Sequence, residues 1–162
     1  MSRRIAAVDR TPPPLITGRD LGTWNGAKGM RARIDTGRTP ARTIMIVDDD
    51  PDIRTALSEL LEWEGYEAIA AANGAAALAQ LRNGARPCAI LLDLMMPYMN
   101  GWEFRAEQLR DPELRDIPIV LLTASGYNDA TVRAEFGRVE YFPKPPSPDR
   151  LLATIRLLVA PH

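Results

Sequence analysis

Ala89-Ile-Leu-Leu-Asp-Leu-Met-Met-Pro-Tyr-Met-Asn-Gly101 is the stretch whose reading decides the fold. From Cys88 to Leu92 every position is apolar, the pattern of a strand covered on both faces at the centre of a parallel sheet. The run stops at a single carboxylate, Asp93. Ligands of open α/β sheets sit just beyond the carboxyl ends of the strands, so Asp93 stands where a reactive group is expected. Cys88, the chain's one cysteine, reads as a small buried residue of this strand. One cysteine permits neither an intramolecular disulfide nor a Cys-based metal site, and a reducing compartment suits it.

Outward from this strand, short apolar runs alternate with helical periods, the signature of βαβ units. Thr43-Ile-Met-Ile-Val47 reads as the first strand. Asp50 and Pro51 then cap and open a helix to about Trp63, with Ile53, Ala56, Leu57, Leu60 and Leu61 on one apolar face. Gly65 stops it, and Tyr66 to Ala70 reads as the second strand. Asn73 caps a helix over 75–83, ended by Asn83-Gly84. After the third strand, Asn100-Gly101 starts a helix through Arg110, and Ile117 to Leu122 is the fourth strand. A helix over 128–136 and a short strand, Val139 to Phe142, follow. Ser147-Pro148 makes a capped start for the last helix, with Leu151, Leu152, Ile155, Leu158 and Val159 as its buried stripe. Five strands alternating with five helices, joined by right-handed crossovers, close as a doubly wound α/β sheet in the order 2-1-3-4-5.

Charge divides the chain. Residues 1–42 hold eight Arg, Lys28 and three acids, a net charge of +6; the other 120 residues carry eleven basic and eighteen acidic side chains, net -7. The first part, with Pro12-Pro-Pro14 and five glycines, has too few apolar residues for a core and is expected to be a disordered basic tail. A solvated extension, or translation from an upstream start codon, is preferred there to an arm that touches nucleic acid. No apolar run reaches the roughly 20 residues that span a bilayer. Ser2-Arg3-Arg4 lacks the apolar region of an export signal, so a soluble, cytoplasmic protein is expected.

The residues just past the strands carry the chemistry. Strand one delivers Asp48-Asp49-Asp50, strand three Asp93, strand four Thr123, and Lys144 follows strand five. In a parallel sheet these share one edge. Crowded carboxylates repel one another unless a cation compensates, and all-oxygen ligation selects a hard ion such as Mg²⁺. A hard cation beside a lysine and a hydroxyl makes a clamp for phosphoryl oxygens, and a carboxylate can itself accept the group.

Residues 43–160 resemble a receiver domain of bacterial two-component response regulators. The matching segments are Ile46-Val-Asp-Asp-Asp-Pro-Asp-Ile-Arg54, Leu91-Leu-Asp-Leu-Met-Met-Pro97 with Asn100-Gly101, Val120-Leu-Leu-Thr-Ala124 and Tyr141-Phe-Pro-Lys-Pro145. The resemblance implies a flavodoxin-like fold in which Asp93 is phosphorylated by a sensor histidine kinase or histidine phosphotransfer protein. It implies that Asp48, Asp49, Asp93 and the Met95 backbone carbonyl hold Mg²⁺, that Lys144 contacts the phosphoryl oxygens, and that Lys144-Pro145 occupies the position of a cis peptide. Thr123 and Tyr141 match the switch pair, in which the hydroxyl moves to the phosphate and the ring turns inward. Such a protein is a phosphorelay component, with no catalysis beyond its own phosphorylation and dephosphorylation, that switches the binding of a downstream protein target.

The chain departs from the family between Ala124 and Glu140, where the usual alanine-rich fourth helix is missing. Met95 and Ser125 flank the phosphoryl site and are neither carboxylate nor amide, so a persistent phosphorylated state is expected. Tyr98 and Trp102 are candidate contacts for the kinase, with Trp102 equally suited to packing in the core. No output segment follows Val159, and His162, the single histidine, ends the chain, which points to a stand-alone receiver. Two other readings rank behind this one. A Mg²⁺-dependent phosphatase of the haloacid dehalogenase type would use Asp48 as nucleophile, but Asp52 stands where that family prefers Thr or Val, and there is no room for a substrate cap. A receiver-like docking module that is never phosphorylated would not need the full set of acids, Thr and Lys.

Overall fold

The computed structural model describes residues 42–124, 129–137 and 139–160, all within the unit Gly37–His162. Residues 1–41, on which the expected tail falls, and Ser125, Asn128 and His162 lie outside the described residues. The elements are β1 (Thr43–Val47), α1 (Pro51–Trp63), β2 (Glu67–Ala71), α2 (Gly74–Arg82) and β3 (Ala89–Asp93). They continue with α3 (Gly101–Arg110), β4 (Ile119–Thr123), α4 (Asp129–Phe136), β5 (Glu140–Pro143) and α5 (Pro148–Leu158). The sheet is parallel throughout and ordered β2-β1-β3-β4-β5, the flavodoxin-like doubly wound arrangement read from the sequence.

Strand alternation explains why the central strands are apolar at every position. Met45, Val47, Ile90, Leu92 and Leu121 face one way and pack with Leu78, Leu81 and Phe104 of α2 and α3. Ile44, Ile46, Leu91, Val120 and Leu122 face the other way, against Leu57 and Leu61 of α1 and Leu151 and Ile155 of α5. Each face is a separate apolar cluster, and the sheet is the partition between them. At roughly 1.5–3 kcal/mol for each fully buried aliphatic side chain, these two layers carry the stability of the fold.

Several expectations need correction. Cys88 is exposed: β3 begins one residue later, and Cys88 lies at its entrance, donating its backbone N–H to the Thr43 carbonyl at 2.8 Å. Ala56 is also exposed, because the buried stripe of α1 narrows to Leu57 and Leu61 with Ile53 and Leu60 half-covered at its margins. β4 starts at Ile119, since Pro118 uses its carbonyl to accept from Ile90 at 2.9 Å but has no N–H to continue the ladder inward. Ser147 stands at the cap of α5 without a side-chain hydrogen bond, and Pro148, whose ring presets the helical φ, opens the helix instead. Trp102 is half-buried and packs on Phe136, with ring centroids 4.9 Å apart at 59°, whereas Tyr98 is 93% exposed.

The loop from β3 to α3 positions Asp93 and is held from both ends. Asn100 accepts from the Glu103 amide and Glu103 accepts from the Asn100 amide, each at 2.9 Å, a reciprocal capping box that fixes the start of α3. Gly101 then donates its N–H to the Leu94 carbonyl at 2.9 Å. A Cβ at Gly101 would lie 2.6 Å from the Asp93 carbonyl oxygen and 2.9 Å from Leu94 Cα, both backbone atoms that cannot swing aside. On the far side, the buried Gln108 amide donates to the carbonyls of Leu114 and Ile117 at 2.9 and 3.0 Å and ties down the loop into β4.

Gly101→Ala must therefore displace the segment that carries Asp93. We expect urea denaturation to show a loss of about 2 kcal/mol, within the usual range for overpacking. The Asp93 and Leu94 amide resonances should shift with it. Unchanged stability and unchanged resonances would contradict the close approach.

Candidate functional site

The site is built at the carboxyl edge of β1, β3, β4 and β5, beside the strand order's reversal between β1 and β3. Asp48 is the first residue past β1 and is fully buried. Its N–H donates to the Ala71 carbonyl at 3.1 Å, and its Oδ1 accepts from the Asp50 amide at 2.9 Å. Asp50 in turn accepts from the amides of Asp52 and Ile53, so one acid of the triplet caps α1 while another turns inward. Asp49 stays exposed. Asp93, the last residue of β3, is 4% exposed, and its Oδ1 accepts from the Met95 amide at 3.2 Å.

Lys144 joins them. Its ammonium lies 2.6 Å from Asp48 Oδ2 and 2.9 Å from Asp93 Oδ2, one cation shared by two buried carboxylates. The Lys144–Pro145 peptide is cis, and the Lys144 N–H donates to the Thr123 carbonyl at 2.8 Å, which fastens the loop after β5 to the end of β4. Thr123 is buried at the end of β4, whereas Tyr141, on β5 opposite Leu121, is 42% exposed and stands away from the core. Met95 is 59% exposed on the loop beyond Asp93.

The electrostatics follow from this crowding. Burial pushes the Asp93 carboxyl above the usual range; contacts with Lys144 and the Met95 amide pull it back only in part, and the Asp48 charge adds to the rise. For Lys144, burial alone would lower the ammonium's pKa, but its contacts with Asp48 and Asp93 outweigh burial and raise it. Lysine thus stays charged while the acids compete for it.

The same geometry bears on a metal. Carboxylate oxygens of Asp48, Asp49 and Asp93 lie within 4.8 Å of one another. Asp48 Oδ2 and Asp93 Oδ2 share the single Lys144 ammonium at 2.6 and 2.9 Å, so three carboxylates are met by one cation. A set of carboxylate oxygens in excess of the cations beside it fits a hard divalent cation. Of the side chains expected at the site, Asp48, Asp49, Asp93 and Lys144 come together. Thr123 is buried at the end of the neighbouring strand β4, Tyr141 is exposed on β5, and of Met95 only the main chain was expected to take part.

Two contributors had no role in the sequence reading. Gly101 keeps the Asp93 loop close, and Arg54 donates from Nη1 to the Asp48 carbonyl at 2.7 Å. Both residues lie in the matching segments, but main-chain contacts leave no mark on composition or periodicity.

A flavodoxin-like sheet with an acidic cluster, a lysine behind a cis proline and a buried threonine at one edge defines a class of regulatory signalling domains. Residues 44–156 match the response regulator receiver domain, and the chain belongs to that family. It is 39% identical over 119 residues to the phosphate regulon transcriptional regulatory protein PhoB of Pseudomonas aeruginosa, covering 73% of this chain and 52% of the relative. The chain thus spans about half the length of the curated relatives it matches. Among solved structures it resembles the chemotaxis response regulator CheY4 of Vibrio cholerae, with 31% identity, a TM-score of 0.66, and coverage of 73% of this chain and 98% of that one. It also resembles the receiver domain of a signal transduction histidine kinase from Syntrophus aciditrophicus, with 31% identity, a TM-score of 0.66, and coverage of 74% and 90%. Receiver domains are regulators of two-component systems rather than conventional enzymes. Among the described residues no helix is long and apolar enough to cross a membrane.

The raised Asp93 pKa yields a prediction with a definite sign. Its folded-state value exceeds its unfolded one, so its contribution to stability is full below about pH 3.8 and is lost as the pH rises through the folded value. In metal-free buffer at pH 7, Asp93→Asn should therefore be more stable than wild type, since Lys144 keeps Asp48 as its partner. The expected gain is about 1 kcal/mol, a few degrees in Tm. It should shrink as the pH is lowered toward 4; a gain that persists there would assign it to packing rather than to the charge.

Proposed function

We propose that this chain is a phosphoacceptor of a two-component phosphorelay, with Asp93 as the residue phosphorylated. The observation that carries the proposal is the ammonium of Lys144 set 2.9 Å from Asp93 Oδ2 and 2.6 Å from Asp48 Oδ2, beside a cluster of oxygen ligands. An Asp93 carboxylate oxygen attacks the phosphorus of a phosphohistidine on a sensor kinase or phosphotransfer protein. The P–N bond breaks as the P–O bond forms, and the imidazole leaves and takes up a proton. Lys144 then neutralises a phosphoryl oxygen while remaining tied to Asp48. Asp48, Asp49, Asp93 and the Met95 carbonyl would hold Mg²⁺, which supplies charge neutralisation at the transferring oxygens when bound.

Transfer changes the charge balance at the strand ends. Thr123, buried at the end of β4, offers the hydroxyl that the phosphoryl group draws in, and the exposed ring of Tyr141 on β5 is the aromatic that turns inward behind it. The output is altered binding of a protein target, in a cytoplasmic setting. Asp48 is disfavoured as the acceptor because it is fully buried and held at 2.6 Å by Lys144 and at 2.9 Å by the Asp50 amide. The matching contacts of Asp93 are longer, 2.9 and 3.2 Å, and Asp93 keeps slight exposure.

The test is intact-mass spectrometry after incubation with acetyl phosphate and MgCl₂. Wild type should gain one phosphoryl mass, and it should lose that gain in EDTA and in Asp93→Ala. Labelling that survives in Asp93→Ala would move the acceptor to Asp48 and reject the proposal. The exposed Met95 thioether offers no group to orient an attacking water, so a long-lived phosphorylated state is expected. Met95→Asn combined with Ser125→Glu should shorten its half-life several-fold, followed by the decay of the labelled mass after removal of acetyl phosphate.

A further inference from the structure

We infer that Arg54 is a positioning residue for the cation site: it orients the Asp48–Asp49 peptide, and it does so as a hydrogen-bond donor rather than as a charge. The inference rests on the reading that Asp48 and Asp49 hold Mg²⁺. Arg54 sits in the first turn of α1, where a cation opposes the helix dipole and gains nothing from the helix itself. Three carboxylates, Asp48, Asp49 and Asp50, lie close in sequence, yet among the described residues its guanidinium bonds a main-chain carbonyl instead, from Nη1 to the Asp48 oxygen at 2.7 Å.

That carbonyl is a separate handle on the loop. The Asp48 amide is bound to Ala71 and its Oδ2 lies against Lys144, contacts that fix Asp48 itself, whereas its Oδ1 accepts from the Asp50 amide and holds the peptide on the other side of Asp49. The carbonyl belongs to the peptide plane shared with Asp49, whose exposed side chain makes none of the hydrogen bonds or ion pairs that hold its neighbours. Holding that plane sets the direction in which Asp49 leaves the backbone. Arg54 is therefore one shell behind the proposed ligands and acts through them.

Charge and position predict opposite signs. A guanidinium near a cation site repels the cation, so removing it should tighten Mg²⁺ binding if charge were its only effect. If it positions Asp49, removing it should weaken binding, as loss of an orienting partner commonly does by about tenfold or more. Length-matched variants separate the two: Arg54→Lys keeps both donor and charge, whereas Arg54→Met keeps neither.

The experiment is calorimetric titration of the full chain with MgCl₂, with Tm measured separately in EDTA. We expect wild type to bind, Asp49→Asn to lose most of the affinity, Arg54→Met to raise the Kd about tenfold, and Arg54→Lys to stay within about threefold of wild type. Since lysine restores the unfavourable charge together with the donor, its rescue identifies the donor. Should Arg54→Met fail to fold, Arg54→Gln, too short to reach the carbonyl, is read in its place. Equal or tighter binding by a folded Arg54→Met or Arg54→Gln would overturn the inference and leave the cation site standing. Absence of Mg²⁺ binding by wild type, or undiminished binding by Asp49→Asn, would overturn the site and the inference together.

Discussion

One ammonium serving two buried carboxylates is the constraint on which this site depends. Lys144 is fixed 2.6 Å from Asp48 and 2.9 Å from Asp93, and those acids come from adjacent strands at the point where the sheet's order reverses. The pairing leaves one negative charge uncompensated before Asp49 is counted. A fold arranged for stability alone would replace such a cluster with apolar side chains, because desolvating the charges costs several kcal/mol per ion before any attraction offsets it. Its persistence at the carboxyl edge of an otherwise apolar sheet makes sense as a site held ready for a cation and an anionic group.

The scaffold compensates by making everything around the cluster stiff. β3 and β4 are buried along their length and β1 from Ile44 onward, so the strand ends have little freedom. The capping box at Asn100 and Glu103 and the close approach of Gly101 immobilise the loop that follows Asp93, and the Gln108 amide fixes the loop that leads from α3 into β4. Tyr98 is the exception within this frame. It adopts φ 67°, a left-handed backbone that disfavours bulky side chains, and projects almost wholly into solvent. The strain is accommodated in a loop whose ends are anchored on both sides, from Leu94 to Gly101.

Much of this was legible in the sequence because it rests on side-chain type at regular spacing. Continuous apolar runs announce strands covered on both faces, and the carboxylates that end them can only collect at one edge of a parallel sheet. Asp48, Asp93 and Lys144 were thus brought to one edge by position alone, Asn73 and Asp50 were read as caps from their chemistry, and Asn100 was placed only at the start of a helix. What stayed hidden depends on which side of a boundary a residue falls. Cys88 extends the apolar run by one residue but precedes the strand, and Ala56 fits the period of α1 at the rim of its stripe. Contacts between side chains and main chain were hidden for a different reason. The Gln108 amide and the Arg54 guanidinium bond carbonyls, and every residue presents one, so no partner residue type betrays them.

These contacts also suggest how the proposed phosphorylation could reach a distant surface without a large movement. The Lys144 backbone is bonded to the Thr123 carbonyl, and Thr123 and Tyr141 lie on neighbouring strands, Tyr141 opposite Leu121. A phosphoryl group adds about -1.5 to -2 charges beside a cluster that already lacks compensation. Lys144 is held by its main chain as well as by two carboxylates, so it can reapportion its contacts but cannot leave. In the proposed function the response is carried by the Thr123 hydroxyl at the end of β4 and the exposed Tyr141 ring on the sheet's edge strand. On that proposal the rigid part of the site sets the geometry of transfer, and the β4–β5 edge sets which conformation a partner meets.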